Sequence, residues 1–396
     1  MMKRAALILL LAGMLAVPVS AQQVTVKIGF VVDITGGASS LGIPERNTVQ
    51  LYQEDLGTVG GPQGPVKLQY LITDGESDPT KAVLASKRLI EEERVAALVC
   101  CTTSPASLAV IATAQAARVP NVSLAAAVQI IEPVEQRQWI FKTPQTDRLM
   151  IDVITTHMQK SGIRRVAFLG FDDAFGQGGQ VELDRIASSK GLEVVAKEAF
   201  ARAATDVSAQ VTRAMGRSPQ AILIWAIPPG ANVANRNIRE LGHTVPVYQS
   251  HGVANKTFLD LGGASVEGVL FPAGKVLIAE QLSPSDKQKP VLVEYARRYE
   301  GRFGPGTRNT FGGHALDAVL ILRPAIERTV KRGFLPDNVG GFRRVLRDEI
   351  ETGTTEVIGI TGVFSMSSKD HMGLDHRAAV MIRVQGGTWT RVPTLR

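Results

Sequence analysis

Short, continuously apolar runs alternate with helical patterns along most of this chain, and that alternation restricts its fold more than any other feature. VKIGFVVD (26–33), VKLQYLITD (66–74), VAALVC (95–100), NVSLAA (121–126) and RVAFLGF (165–171) read as strands. So do LEVVAKEAF (192–200), AILIWA (221–226), VPVYQS (245–250) and EGVLFP (267–272). Strands that are apolar on both faces belong in parallel sheets covered by helices on both sides. Between them the pattern predicts helices over about 44–55, from near Pro79, over 105–117 and from near Asp147. Repeated βα units build open, doubly wound sheets, an α/β architecture. A single sheet of about ten strands is large, so two sheets are expected. The rhythm breaks at WIFKTPQTD (139–147) and again after FPAGK (271–275), where the chain is expected to pass from one sheet to the other. Long helices follow over about 287–303, 313–332, with a kink expected at Pro324, and 338–350. The tail reads as antiparallel hairpins turning near Gly373 and Gly386-Gly387, with His371, Asp375 and His376 as solvated turn residues.

The first twenty-one residues, MMKRAALILLLAGMLAVPVSA, form a positive start, an apolar stretch and a small-x-small cleavage site at Val19-Ser20-Ala21. This pattern predicts a secretory signal peptide over 1–21 with cleavage near Ala21, and a mature chain working in the periplasm. Outside the cytoplasm ATP and NAD are scarce, which argues against kinases and dehydrogenases. The net charge of +7 is spread with no basic block, so no nucleic-acid partner is expected. The two cysteines, Cys100 and Cys101, are adjacent. That excludes a disulfide framework and a spaced zinc-ligand set, and a bond between the neighbours would be strained.

In open α/β sheets ligands bind beyond the carboxyl ends of strands. VCCTTSPASLAV (99–110) is the best candidate loop. Its strand ends at Cys100. Thr102, Thr103 and Ser104 supply hydroxyls, Ser104 suits a helix cap and Pro105 the first helical position. Hydroxyls beside the free N–H groups of a helix start form an anion site without formal charge, suited to a carboxylate. DITGGASSLGIPE (33–45) lets a ligand or another lobe approach its glycines, but it is no phosphate loop. In GFDDAFGQGG (170–179), Asp172 and Asp173 close a strand and start a helix, whereas Phe175 is placed to cover an apolar ligand. Trp225 and His251 lie at two further strand ends, and His251 has no metal-spaced partner. No G-x-S-x-G elbow occurs, so a hydrolase lacks its commonest marker. No catalytic residue, metal or cofactor is expected.

These segments, in this order, resemble the periplasmic solute-binding proteins of branched-chain amino-acid-type ABC transporters. The resemblance covers 24–390 and rests on VKIGFVVDITGGASSLG, ITDGESDPTKAV, VCCTTSPASLAV, VPNVSLAAA, FDDAFGQGG, SHGVANKTFLDLGGASVEGVLFPAGK, ALDAVLILRPAIE and TGVFSM. It implies two doubly wound, Rossmann-like lobes joined by three crossovers, the type I periplasmic binding fold, with the ligand held between the lobes. The lobes are expected over 22–143 plus 274–361 and over 144–273 plus 362–396. The resemblance implies a carboxylate loop over Cys101, Thr102, Thr103 and Ser104, with backbone contacts from Ala125, Ala126 and Ala127. Phe175 and Trp225 match aromatics near the ligand, and Leu41 stands where a bulky aromatic is usual. His251 replaces the glutamate that holds the ammonium in amino-acid binders, and Ala127 replaces a frequent threonine. The expected ligand is therefore a small carboxylate with an apolar body, either a hydrophobic amino acid or an acid lacking the ammonium. The chain is expected to act as a monomer, closing on its ligand about the crossovers and delivering it to membrane permease subunits. The alternatives are a ligand-sensing module of a receptor and an exported hydrolase.

Overall fold

The computed structural model of the chain describes residues 23–62 and 64–393, so the expected signal peptide lies outside the described residues. The first sheet has six strands: β1 (Thr25–Val32), β2 (Thr58–Gly61), β3 (Gly64–Asp74), β4 (Ala97–Cys100), β5 (Asn121–Ser123) and β6 (Ile140–Lys142), in the order β2-β3-β1-β4-β5-β6. All its pairs are parallel except the β2–β3 edge hairpin. Helices α1 (Ser39–Leu56), α2 (Pro79–Glu91) and α3 (Ser104–Ala116) join its strands. The chain then enters a second layered unit through α4 (Asp147–Lys160).

In the second unit β7 (Arg165–Phe171), β8 (Glu193–Phe200), β9 (Ala221–Trp225), β10 (Val247–Gln249) and β11 (Leu270–Ala273) pair in parallel. Helices α5 (Ala174–Ala187), α6 (Ser208–Met215), α7 (Gly230–Glu240) and α8 (Lys256–Gly262) connect them. The chain returns with α9 (Lys289–Phe303), α10 (Thr310–Lys331) and α11 (Val339–Gly353), and α10 packs along α1 and β2 of the first unit. A short antiparallel pair follows, β12 (Val357–Ile358) with β13 (Val363–Phe364). Finally β14 (Val380–Gln385) and β15 (Thr388–Arg391) add an antiparallel hairpin to the second sheet, whose order is β15-β14-β11-β10-β9-β7-β8. The chain thus passes between the two units three times. The fold is α/β, with two doubly wound lobes.

The central strands are buried along most of their length, as continuous apolar runs require; β9 (AILIW) is buried at every position. Local chemistry fixes the helix starts. Asp78 accepts N–H bonds from Thr80 and Lys81, with Pro79 at the first turn of α2. Thr146 accepts from Leu149 N at the start of α4, and Asp173 accepts from Phe175 N and Gly176 N at the start of α5.

Several expectations need correction. The segment 139–147 contains a strand, β6, before its turn, because IFK pairs with β5. Helix α1 starts at Ser39, five residues before the expected Pro44, which it carries inside. Its early start is fixed by Gly42, where a Cβ would collide with the backbone of Asp33. Pro324 sits within an unbroken α10. Gly386-Gly387 turns the last hairpin, but Gly373 packs on the Ser365 backbone instead of turning a second one. His371 is not solvated. It is fully buried, with Nδ1 bonded to Ile140 O at 2.8 Å and Nε2 3.0 Å from Glu351, its ring stacked on Phe141.

Candidate functional site

A cavity of about 400 Å³ lies where the strand ends of the two sheets face each other. Leu41 from α1, Thr102, Thr103 and Ser104 after β4, and Leu124, Ala125 and Ala126 after β5 line one wall. Phe175 from α5, Arg202 after β8, Ile227 after β9, and His251 and Gly252 after β10 line the other. Pro144 comes from the first passage between the units, and Phe311 and His314 from α10. Eight of the eleven residues singled out from sequence therefore meet here; Cys101, Ala127 and Trp225 do not reach the lining.

The loop after β4 divides its hydroxyls between support and cavity. Thr102 is committed: its hydroxyl accepts from Asp33 N at 2.9 Å and donates to Glu45 Oε2 at 2.5 Å. Glu45 is fully buried, which holds its carboxyl well above the usual range, the Thr102 bond opposing. Burial likewise pushes Asp33 up to about 6 despite the Ser77 N–H it accepts; Asp74 adds to the rise, and Arg202 and Thr103 oppose it. Thr103, not Ser104 as expected, occupies the cap position of α3, and its side chain makes no capping bond. The hydroxyl is left beside Asp33 at the cavity wall. Ser104 is the first helical residue, and its Oγ accepts from Ala127 N at 3.2 Å, keeping its own hydrogen to donate. Cys101 lies behind this loop, fully buried and bonded to Cys100 in a disulfide between neighbours. Its N–H and carbonyl are both held by the Ser107 hydroxyl, at 3.1 and 3.0 Å.

The small-residue loop after β5 is similarly divided. Ala125 N–H bonds Ser123 Oγ and Ala127 N–H bonds Ser104 Oγ, whereas Ala126 N–H has no such partner among the described residues. The Ala126 carbonyl is clamped from both ends of the first passage, by Lys142 Nζ at 2.6 Å and Asp147 N at 3.2 Å. Burial pushes the Lys142 ammonium down to about 7, with Asp147 pulling the other way. Asp147 also accepts from Val128 N at 3.0 Å. The loop is thus fastened to the segment that joins the two units.

The opposite wall is aromatic. Phe175 stands 5.7 Å from Trp225 and 6.1 Å from His251, and Trp225 and His251 are 5.7 Å apart. Trp225 is fully buried behind the other two and acts as their support. At Gly179 a Cβ would come within 2.5 Å of its indole, so α5 seats on Trp225 only with glycine there. Burial drives His251 down to about 3 and His314 well below its ordinary value, so both line the cavity as neutral rings. Arg202 is the charged residue of the lining; its Nε donates to Asp173 at 2.5 Å and its guanidinium lies 4.7 Å from the Phe171 ring centroid.

Sequence reading missed Leu124, Pro144, Arg202, Ile227, Gly252, Phe311 and His314. The strand-end rule, applied to LEVVAKEAFAR, would have reached Arg202. His314 gave no signal: it sits in a stretch of α10 buried at every position from Thr310 to Val319.

A sequence profile described as periplasmic binding protein matches residues 25–388. An extracellular ligand-binding receptor from Rhodopseudomonas palustris HaA2 is 30% identical, with a TM-score of 0.87 over 93% of this chain and 100% of that one. A leucine binding protein from Thermotoga maritima MSB8 is 23% identical, with a TM-score of 0.79 over 93% of this chain and 98% of that one. Among curated proteins, Glutamate receptor 2.1 of Arabidopsis thaliana is 23% identical over 268 residues, 67% of this chain but only 29% of the plant protein.

Proposed function

The chain belongs to the periplasmic binding protein family, and from that premise we propose that it captures a small carboxylate lacking an α-ammonium and delivers it to the permease of an ABC importer. One observation carries the ligand class: the cavity is lined by hydroxyls, two neutral imidazoles, one guanidinium and apolar groups, and by no carboxylate. An amino-acid ammonium would enter a buried site without a counter-charge, at a cost of several kcal/mol. A carboxylate finds the Thr103 and Ser104 hydroxyls, the start of α3 and Arg202. Its apolar body meets Leu41, Phe175, Ile227 and Phe311.

The lobes of this proposal span 22–143 plus 274–361 and 144–273 plus 362–396, with residues 1–21 removed on export and the mature chain a monomer. The mechanism is closure without covalent chemistry. Ligand binds the hydroxyl wall first, and contacts from the aromatic wall then favour the closed state. Moving that equilibrium from 1:99 to 99:1 takes about 5.5 kcal/mol. Hydrogen bonds to a charged group contribute about 1.5–3 kcal/mol each, so two of them with one buried apolar group suffice. A second reading, a sensing module, is favoured by the match to part of the plant receptor.

Isothermal titration separates the ligand classes. Benzoate-type acids are expected to bind and leucine to bind at least tenfold more weakly. Tight leucine binding alone would contradict the ammonium-free ligand. Pull-down of permease subunits by the ligand-loaded protein supports transport over sensing; capture of a receptor kinase instead would reverse that choice.

A further inference from the structure

The wall opposite the anion loop carries two imidazoles whose hydrogen-bonding capacity is unspent. His314 Nδ1 lies 2.7 Å from Thr361 Oγ1. The Asp317 carboxylate accepts Ile360 N and Thr361 N, each at 2.6 Å, and draws on the Thr361 hydroxyl as well. A hydroxyl that gives its hydrogen to a carboxylate is left to accept from its other neighbour. His314 must then carry its proton on Nδ1 and offer the lone pair of Nε2, which has no partner among the described residues. His251 is tied to nothing through its ring: Nδ1 is buried without a partner, and no bond to Nε2 exists among the described residues. A buried orphan acceptor is tolerated better than a buried orphan N–H. That places the His251 proton on Nε2. The two rings are close enough to act on each other electrostatically, and both line the same cavity.

The distal pole of the cavity therefore holds one acceptor from α10 and one donor from the loop after β10. A ketone accepts but cannot donate. An ammonium donates but cannot accept. A hydroxyl does both. Building on the carboxylate reading above, we infer that the ligand is a carboxylic acid with a hydroxyl at its far end, which donates to His314 Nε2 and accepts from His251 Nε2–H. That hydroxyl joins elements of both lobes, so it adds to closure as well as to selectivity.

The test is isothermal titration of the mature protein with matched acids: benzoate and 4-hydroxybenzoate, 3-phenylpropanoate and 3-(4-hydroxyphenyl)propanoate, hexanoate and 6-hydroxyhexanoate. In at least one pair the hydroxy acid is expected to bind tenfold tighter or better, equal to about 1.4 kcal/mol. His314→Phe and Thr361→Val, the second of which removes only the group that sets the tautomer, are each expected to cut that ratio below threefold. Parent acids that bind with no tenfold preference in any pair overturn the inference and leave the carboxylate reading standing. A preference that stays above threefold in both variants also overturns it. If no acid of either kind binds, the carboxylate reading falls and the inference falls with it. The wild-type ratios decide the question even if a variant fails to fold.

Discussion

The two walls of the cavity are built by different means. The wall after β4 and β5 uses main chain and short hydroxyl side chains from two adjacent loops, each cross-linked to the other by Ser104 and Ala127. The facing wall uses large side chains from α5, the loops after β8, β9 and β10, and α10, brought together only by the tertiary fold. The first wall is preorganised: its donors stay in place whether or not the lobes meet. The second is assembled by closure. Charge recognition should therefore reside on the first wall, and discrimination among carboxylates on the second.

The largest effect should come from the first wall. Thr103→Ala combined with Ser104→Ala removes two donors to a charged group, and at about 1.5–3 kcal/mol each the loss exceeds 100-fold in Kd. Calorimetry on a bound acid reads it, with circular dichroism unchanged; retained affinity would break the comparison. On the second wall Phe175→Ala should cost about 10- to 30-fold, since it removes one apolar face worth roughly 1.5–3 kcal/mol. That loss should vary with the ligand body, as the first-wall loss should not.

Thr102→Val sharpens the boundary within the first wall. Its hydroxyl is committed to Asp33 and Glu45, so ligand affinity should change by less than about threefold. The fold should lose about 1–3 kcal/mol, because two buried polar groups are left unpaired; urea unfolding measures this. The smallest effect is expected at Asp33, held at about 6 by burial. Above pH 6 the charged carboxylate costs the folded state energy. Below about pH 4 folded and unfolded chains both carry the proton, and that cost disappears. Asp33→Asn, which keeps the acceptor for Ser77 N–H, should stabilise by about 1–2 kcal/mol at pH 7.5 and by nothing at pH 3.5. A gain that does not depend on pH would refute that origin.

How much of this was legible in the sequence follows the same division. The strands were legible because both faces of β1, β4 and β9 are buried and their runs are continuously apolar. The hydroxyl loop was legible because Ser and Thr before a proline at a strand end mark a helix start. Position within the loop was less so: the cap is Thr103, and Thr102 turned inward because Glu45, 57 residues earlier, needed a donor. Glu45 reads in sequence as one more surface carboxylate of a helix. Trp225 was singled out as a strand-end aromatic, yet it supports Phe175 and His251 from behind. His371 looked like a turn residue until the third passage between the units enclosed it against Phe141 and Glu351. Side chains whose role depends on a distant partner carry no local mark of it.

The most direct test of the whole account is a crystal structure of the mature protein grown with a bound carboxylic acid. The acid's carboxylate should lie within hydrogen-bonding distance of the Thr103 and Ser104 hydroxyls, with its body against Phe175. A carboxylate turned instead toward His251 and His314, or an acid bound outside this cavity, would contradict it.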